Sequence, residues 1–107
     1  MTEALSRLFS PITLAGHTIP NRIVMAPLTR QMAEEDGTPT AEMAGYYARR
    51  ARGGFGLIIT EGTYETDDRH GCKAYLSQPG IANAKHVAGW KKVVEAIHAH
   101  GSKAILQ

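Results

Sequence analysis

A single cysteine, Cys72, leaves no partner for an internal disulfide, so the chain reads as one suited to a reducing compartment. Nothing in it approaches the roughly 20 consecutive apolar residues that a bilayer-spanning helix needs. Met1 to Phe9 carries Glu3 and Arg7 and has no apolar core, which argues against a secretory leader. A soluble, cytoplasmic protein with no membrane partner is the expectation. Charge of one sign is scarce too: 12 Lys and Arg against 10 Asp and Glu leave a net +2. The only basic cluster, Arg49, Arg50 and Arg52, falls at the end of a predicted helix, where cations complement the dipole. No interleaved aromatics accompany it, so nucleic-acid binding is not expected. His70 and Cys72 form one potential ligand pair without a second, short of a zinc site. No glycine-rich turn follows the first apolar run, which argues against a mononucleotide-binding half of a doubly wound sheet. Repeats and low-complexity segments are also missing.

What remains is a globular composition, 43% hydrophobic and 21% charged, in a length that supports one modest domain. Two short alternating runs, Ile12–Leu14 and His17–Ile19, flank Ala15-Gly16 and predict a β-hairpin. Ile23, Val24 and Met25 read as a strand buried on both faces, and Pro27, which cannot donate a ladder hydrogen bond, must end it. Thr38 and Pro39 look like an N-cap and first helical residue, with Met43, Tyr46, Tyr47 and Ala51 along one face. Gly53-Gly54 stops that helix, and these glycines precede the next strand, Phe55 to Thr60, so they are no phosphate loop. Glu61 to Ile81 is a long polar connection of the kind that serves as a lid or binding loop. Asn83 caps a second helix with a stripe of Val87, Trp90, Val93, Val94 and Ile97. Gly101 ends it, and Lys103 to Gln107 begin a third strand. The order strand, helix, strand, helix, strand implies parallel strands with right-handed crossovers.

In parallel α/β proteins ligands sit at the carboxyl ends of strands. Here those ends carry Thr29, Gly62 and Gln107: a hydroxyl, an open backbone position and a primary amide. From spacing alone Thr29 reads more readily as a turn cap, and Gly62 equally well as an ordinary turn glycine. Pro27 and Leu28 double as strand terminator and core leucine. Glu61 is a carboxylate at a strand end with no second acid for hydrolytic chemistry. Tyr64, Asp67, Arg69 and Tyr75 lie in the long loop within possible reach of a substrate, whereas Tyr46 and Tyr47 read as core. His98 and His100, two residues apart, point to different faces.

Asn21 to Arg30 (NRIVMAPLTR) closely resembles the first barrel strand of the Old Yellow Enzyme family, the FMN-dependent NAD(P)H:flavin oxidoreductases and ene-reductases. Leu8-Phe9-Ser10-Pro11 resembles that family's opening, Leu57 to Thr63 (LIITEGT) its second strand and Ala104 to Gln107 (AILQ) its third. The resemblance covers almost the whole chain, in the family's order. It implies the N-terminal part of a (β/α)8 TIM barrel, three strands and two helices behind a β-hairpin that covers the barrel bottom. A complete barrel takes eight such units and about 250 residues, so residues 1–107 are expected to be the N-terminal fragment of one FMN-binding domain.

By the same resemblance Thr29 bonds the flavin near its O4 and N5 edge and tunes it. Pro27 and Leu28 contact the isoalloxazine ring, Gly62 lets the flat ring approach the backbone, and Gln107 pairs with the pyrimidine edge through its donor and acceptor. The implied activity is hydride transfer from NADH or NADPH, via FMN, to a small-molecule activated alkene. The family's substrate-anchoring His/Asn or His/His pair, tyrosine proton donor and phosphate-binding segments would lie past Gln107, leaving the chain inactive alone. Threonine at position 29 matches the branch that lacks the cysteine of the thermophilic type, while GGFGLIITEG is similar to the dienoyl-CoA reductase branch. Open strand edges also fit a non-enzymatic piece that associates with the remaining barrel or with itself.

Overall fold

The computed structural model describes residues 2–66 and 73–107, so Asp67, Arg69, His70 and Cys72 lie outside the described residues. The chain opens with helix α1 (Glu3–Leu8), which the sequence reading did not anticipate. Thr2 caps it by accepting from the Leu5 N–H at 3.3 Å, but none of its residues is buried. A helix this short has few internal bonds, so its cap and its tertiary tether matter more than propensity. The hairpin follows as expected, with β1 (Ile12–Leu14) antiparallel to β2 (His17–Ile19) and Leu14 opposite His17.

Three parallel strands form the main sheet in the order β3 (Val24–Met25), β4 (Leu57–Ile59), β5 (Lys103–Ile105). Helix α2 (Ala41–Arg52) connects the first pair and α3 (Ala84–His98) the second. Met25, Ile58 and Ala104 stand level across the strands and face the helices. There they meet Met43, Tyr46, Tyr47 and Ala51 of α2 and Trp90, Val93 and Ile97 of α3, which together make the core. This is the N-terminal part of a TIM barrel.

Three expectations need correction. The first barrel strand is not buried on both faces, because Val24 is 46% exposed on the side away from the helices. That side faces the barrel interior, which three strands cannot enclose. The cap of α2 is Thr40, whose hydroxyl accepts from the Met43 N–H at 3.2 Å, and not Thr38. Thr38 is instead held in a turn by its N–H to Asp36 Oδ1 at 2.9 Å, while Pro39 packs on Gly89 of α3. Finally Val87 is 53% exposed, and His86 and Gly89 take the inward positions ahead of Trp90.

The open side is largely apolar, with His17, His98 and Lys103 among its lining. Leu14, Ile19, Leu57, Ala104 and Ile105 line a cleft of about 480 Å³ between the hairpin and the sheet. Val24, Leu28, Ile105 and Leu106 are also large and exposed. A contiguous apolar surface beside unpaired strand edges drives association. We therefore expect the chain alone to self-associate in a concentration-dependent way by sedimentation. Val24→Lys with Ile105→Lys should shift it toward monomer while leaving the helical signal intact; unchanged association would exclude this face.

Candidate functional site

The carboxyl ends of β3, β4 and β5 carry, in order, Ala26 to Arg30, Thr60 to Thr63, and Leu106-Gln107. Strands in register end level, so side chains after their last residues share one rim. Two of these ends are stitched by main chain: the Thr60 N–H donates to the Ile105 carbonyl and the Thr63 N–H to the Gln107 carbonyl, both at 2.9 Å. The Gln107 N–H returns to the Thr60 hydroxyl at 3.3 Å. A methyl group placed on Gly62 would find nothing nearer than Gln107 Oε1 at 3.7 Å, so Gly62 fronts open space beside that amide.

Thr29 joins this rim from the β3 side. Its own side chain is exposed, as are those of Leu28 and Gln107, while Pro27 and Gly62 are partly covered. Tyr75 reaches in from the long loop. Burial pushes its hydroxyl pKa up, the Thr29 side chain beside it pulls it down, and the Glu61 charge raises it again. The Tyr75 oxygen is shielded from solvent and makes no well-formed hydrogen bond. An unpaired buried hydroxyl is costly unless something meets it.

The loop that brings Tyr75 there is ordered by a polar hub. Gln78 donates from Nε2 to the Gly62 carbonyl at 3.1 Å and accepts at Oε1 from the Ala74 N–H at 2.6 Å. Tyr64 and Gly80 form a parallel bridge, and the Gly80 N–H donates to the Gly37 carbonyl at 2.9 Å. Buried His86 accepts at Nδ1 from the Ala82 N–H, which leaves its Nε2 proton to donate to the Asp36 carbonyl at 2.7 Å. Trp90 Nε1 donates to the Gly80 carbonyl at 2.9 Å. Lys85 pairs with Asp36 at 2.8 Å; that ammonium and the Thr38 contacts hold the Asp36 carboxyl well below its ordinary range. The pair is solvent-exposed, so it steers the loop more than it stabilises it.

Beneath the rim Glu61 is fully buried. The Tyr47 hydroxyl donates to its Oε2 at 2.6 Å and accepts from its backbone N–H at 3.0 Å. Burial raises the Glu61 pKa; Tyr47 and the Arg30 main chain oppose that rise. Burial also raises the Tyr47 pKa, and the Glu61 carboxyl adds to it. The Arg30 and Arg50 guanidinium groups lie over the Tyr46 ring at 5.3 and 3.8 Å.

Of the residues singled out in the sequence, Gly62 and Gln107 are adjacent, and Thr29 lies beside Tyr75 after the neighbouring strand. Tyr46 and Tyr47 are core, as read, but Tyr47 also carries the buried bond to Glu61. Tyr64 is turned into the loop hub, where its hydroxyl donates to the Asp36 carbonyl at 3.1 Å. His98 and His100 are both exposed. Glu61 has no second acid beside it; its partner is the Tyr47 phenol. A carboxylate directly after an apolar strand was the available signal, since it must find donors there.

The rim fits a flat heterocycle. Leu28 offers an apolar face, Gly62 an open backbone, and Gln107 a donor and acceptor; Tyr75 leaves a buried hydroxyl unpaired. Among the described residues no group of three acidic, His or Cys side chains could hold a metal, and no helix is long and apolar enough to cross a membrane.

Comparison with known proteins places the chain in a family. Residues 7–107 match the model of the NADH:flavin oxidoreductase / NADH oxidase family. The chain is 39% identical over 100 residues to a probable flavin mononucleotide-dependent alkene reductase of Leishmania infantum, covering 94% of this chain and 26% of that protein. It superposes on morphinone reductase in complex with tetrahydroNAD with a TM-score of 0.81 at 41% identity, covering 94% of this chain and 26% of the enzyme. Old Yellow Enzyme from Pichia sp. gives a TM-score of 0.85 at 35% identity, with 94% and 25% covered. The chain thus spans about a quarter of the length of each of these relatives.

Proposed function

Because this chain belongs to the NADH:flavin oxidoreductase / NADH oxidase family, we propose that residues 1–107 form the N-terminal portion of a single FMN-binding barrel domain. The whole protein passes hydride from NADH or NADPH through the flavin to an activated alkene. Bound flavin supplies the redox chemistry. The chain's own residues bind it, orient it and keep water from one side. Thr29 donates its hydroxyl to the ring's polar edge, a charge-sensing contact that favours the electron-rich form. Gln107 fixes the pyrimidine edge with one donor and one acceptor. Leu28 and Pro27 form an apolar wall, and Gly62 leaves room for the ring. Tyr75, over this rim, faces the substrate side. The remaining barrel contributes the proton donor and substrate anchors, and the chain alone is inactive.

What supports this reading is that Thr29, Gly62 and Gln107 follow three neighbouring parallel strands, with Gln107 Oε1 3.7 Å from the Cβ position of Gly62. It is tested by titrating FMN, followed by visible absorbance, into the chain alone and into the chain co-expressed with the C-terminal three quarters of morphinone reductase. Saturable binding is expected in the completed barrel. Thr29→Ala and Gln107→Ala should each weaken it about tenfold, the size of one or two lost hydrogen bonds. No binding by the completed barrel, with both pieces folded, would sink the flavin reading.

A further inference from the structure

Gln78 lies on the connection between β4 and α3 and is only 8% exposed. A primary amide buried to that extent is costly unless both of its ends are bonded. An apolar side chain of the same length would fill the space without that cost. What it could not do is donate at one end and accept at the other.

The structure uses both ends, and both meet main chain. Oε1 accepts from the Ala74 N–H at 2.6 Å, and Nε2 donates to the Gly62 carbonyl at 3.1 Å. An N–H can only donate and a carbonyl only accept, so these partners admit one orientation of the amide. The Gln78 N–H in turn donates to the Tyr75 carbonyl at 3.2 Å, closing a turn over Leu76 and Ser77. Three bonds from one residue thus frame Tyr75: one to the residue before it, one to its own carbonyl, and one to the end of β4.

The anchor point is itself fixed. The Gly62 carbonyl and the Thr63 N–H belong to one planar peptide, and that N–H donates to the Gln107 carbonyl at 2.9 Å. One peptide is therefore held by Gln78 at its oxygen and by the end of β5 at its nitrogen. After Gln78 the chain is steadied by Tyr64, whose N–H donates to the Pro79 carbonyl at 3.2 Å and whose carbonyl accepts from the Ile81 N–H at 2.8 Å. Tyr75 needs such a frame, because its own hydroxyl is shielded from solvent and makes no well-formed bond. The place of its ring is set by packing and by the main chain on either side.

We propose that Gln78 is a positioning residue: gripping the Gly62 carbonyl with one end of its amide and the Ala74 N–H with the other, it fixes the Tyr75 turn to the end of β4 and so sets the Tyr75 side chain over the rim. The proposal deepens the flavin reading and rests on it for its functional consequence, the presentation of the Tyr75 hydroxyl to the substrate side. The brace itself does not depend on flavin.

The first test is amide hydrogen exchange of the full chain without cofactor, followed by NMR. Gln78→Met keeps the length and removes both side-chain bonds. The Ala74 and Thr63 amides should then exchange about 3- to 10-fold faster, the size of one lost hydrogen bond, while α2 and α3 stay protected. Gln78→Asn keeps a primary amide but is one methylene too short to span both partners, and it should release Ala74 or Thr63 over the same range even if Gln78→Met fails to fold. Unchanged exchange in Gln78→Met, or loss of protection throughout α2 and α3 in Gln78→Asn, would overturn the proposal. The second test uses the completed, FMN-loaded barrel with NADPH and the enone 2-cyclohexenone as probe. Gln78→Asn should raise the KM for the enone about 3- to 10-fold. Combined with Tyr75→Ala it should raise KM no further than Tyr75→Ala alone, because Gln78 acts through Tyr75. Additive losses, which a merely structural role would give, would overturn it as well. If the unsubstituted barrel binds no FMN, the flavin reading falls, and the exchange measurements still decide whether Gln78 holds the turn.

Discussion

Trp90→Ala is expected to destabilise the chain by about 3–5 kcal/mol, the usual cost of emptying a buried large aromatic site. Trp90 is 4% exposed and lies in the core between α2, α3 and the sheet. Its loss removes the largest side chain there, and the surrounding Met43, Tyr46 and Val93 belong to two helices that cannot both collapse into the gap. A polar loss adds to the apolar one, because Nε1 holds the Gly80 carbonyl at 2.9 Å. Trp90→Phe separates the two: it restores most of the packing but leaves that carbonyl without its donor. Its expected cost is about 1–3 kcal/mol, the range for a buried group left unsatisfied. Urea unfolding followed by circular dichroism measures both. Since even a complete domain holds only about 5–15 kcal/mol in total, Trp90→Ala should leave this chain little stability. A loss below that of Trp90→Phe would show that the core does not rest on this residue.

Gly80→Ala should detach the loop that carries Tyr75. A Cβ at Gly80 would lie 2.5 and 2.6 Å from Tyr64 ring carbons and 2.7 Å from His86 Cε1. Neither ring can yield cheaply. The Tyr64 hydroxyl is bonded to the Asp36 carbonyl and its main chain to Pro79 and Ile81, while both His86 ring nitrogens are engaged. Overpacking of this kind costs about 1–3 kcal/mol, which is more than a surface loop holds against local opening. Cleavage by a broad-specificity protease between residues 61 and 83 should therefore accelerate about 5- to 100-fold, since each 1.4 kcal/mol of opening is a factor of ten. Gly62→Ala is the control: its nearest neighbour is 3.7 Å away, so the fold should accept it within about 0.5 kcal/mol. Equal cleavage rates for Gly80→Ala and the unsubstituted chain would show that the hub does not hold the loop.

The strand and helix pattern was legible because its signals are local. Periodicity placed Met43, Tyr46, Tyr47 and Ala51 on one face of α2, and all four are buried. Asn83 caps α3 as read, accepting from the His86 N–H at 2.9 Å. Thr38 misled because Thr-Pro looks like a helix start; the next threonine, Thr40, makes the bond, and Pro39 is displaced toward Gly89 by packing between helices. Val87 matched the apolar spacing of α3 yet lies outside, since periodicity cannot tell which edge of a stripe the neighbouring helix covers. Among its described residues, the connection after Glu61 is held by contacts far away in sequence, which no local pattern shows: Gly37 for Gly80, and Asp36 for Tyr64 and His86.

By itself the sequence determined the parallel βαβαβ order behind a hairpin, and with it the placing of Thr29, Gly62 and Gln107 after successive strands. Apolar period, caps and glycine stops act over a few residues, and motif wording carried the family. Tertiary structure alone decided which side chains meet. It seated Tyr75 beside Thr29, bound Tyr47 to Glu61 across 14 residues, and left Val24 and Ile105 facing an open interior. Those contacts follow from strand register and helix packing, whose partners lie tens of residues apart, and no local preference of the chain encodes such distances.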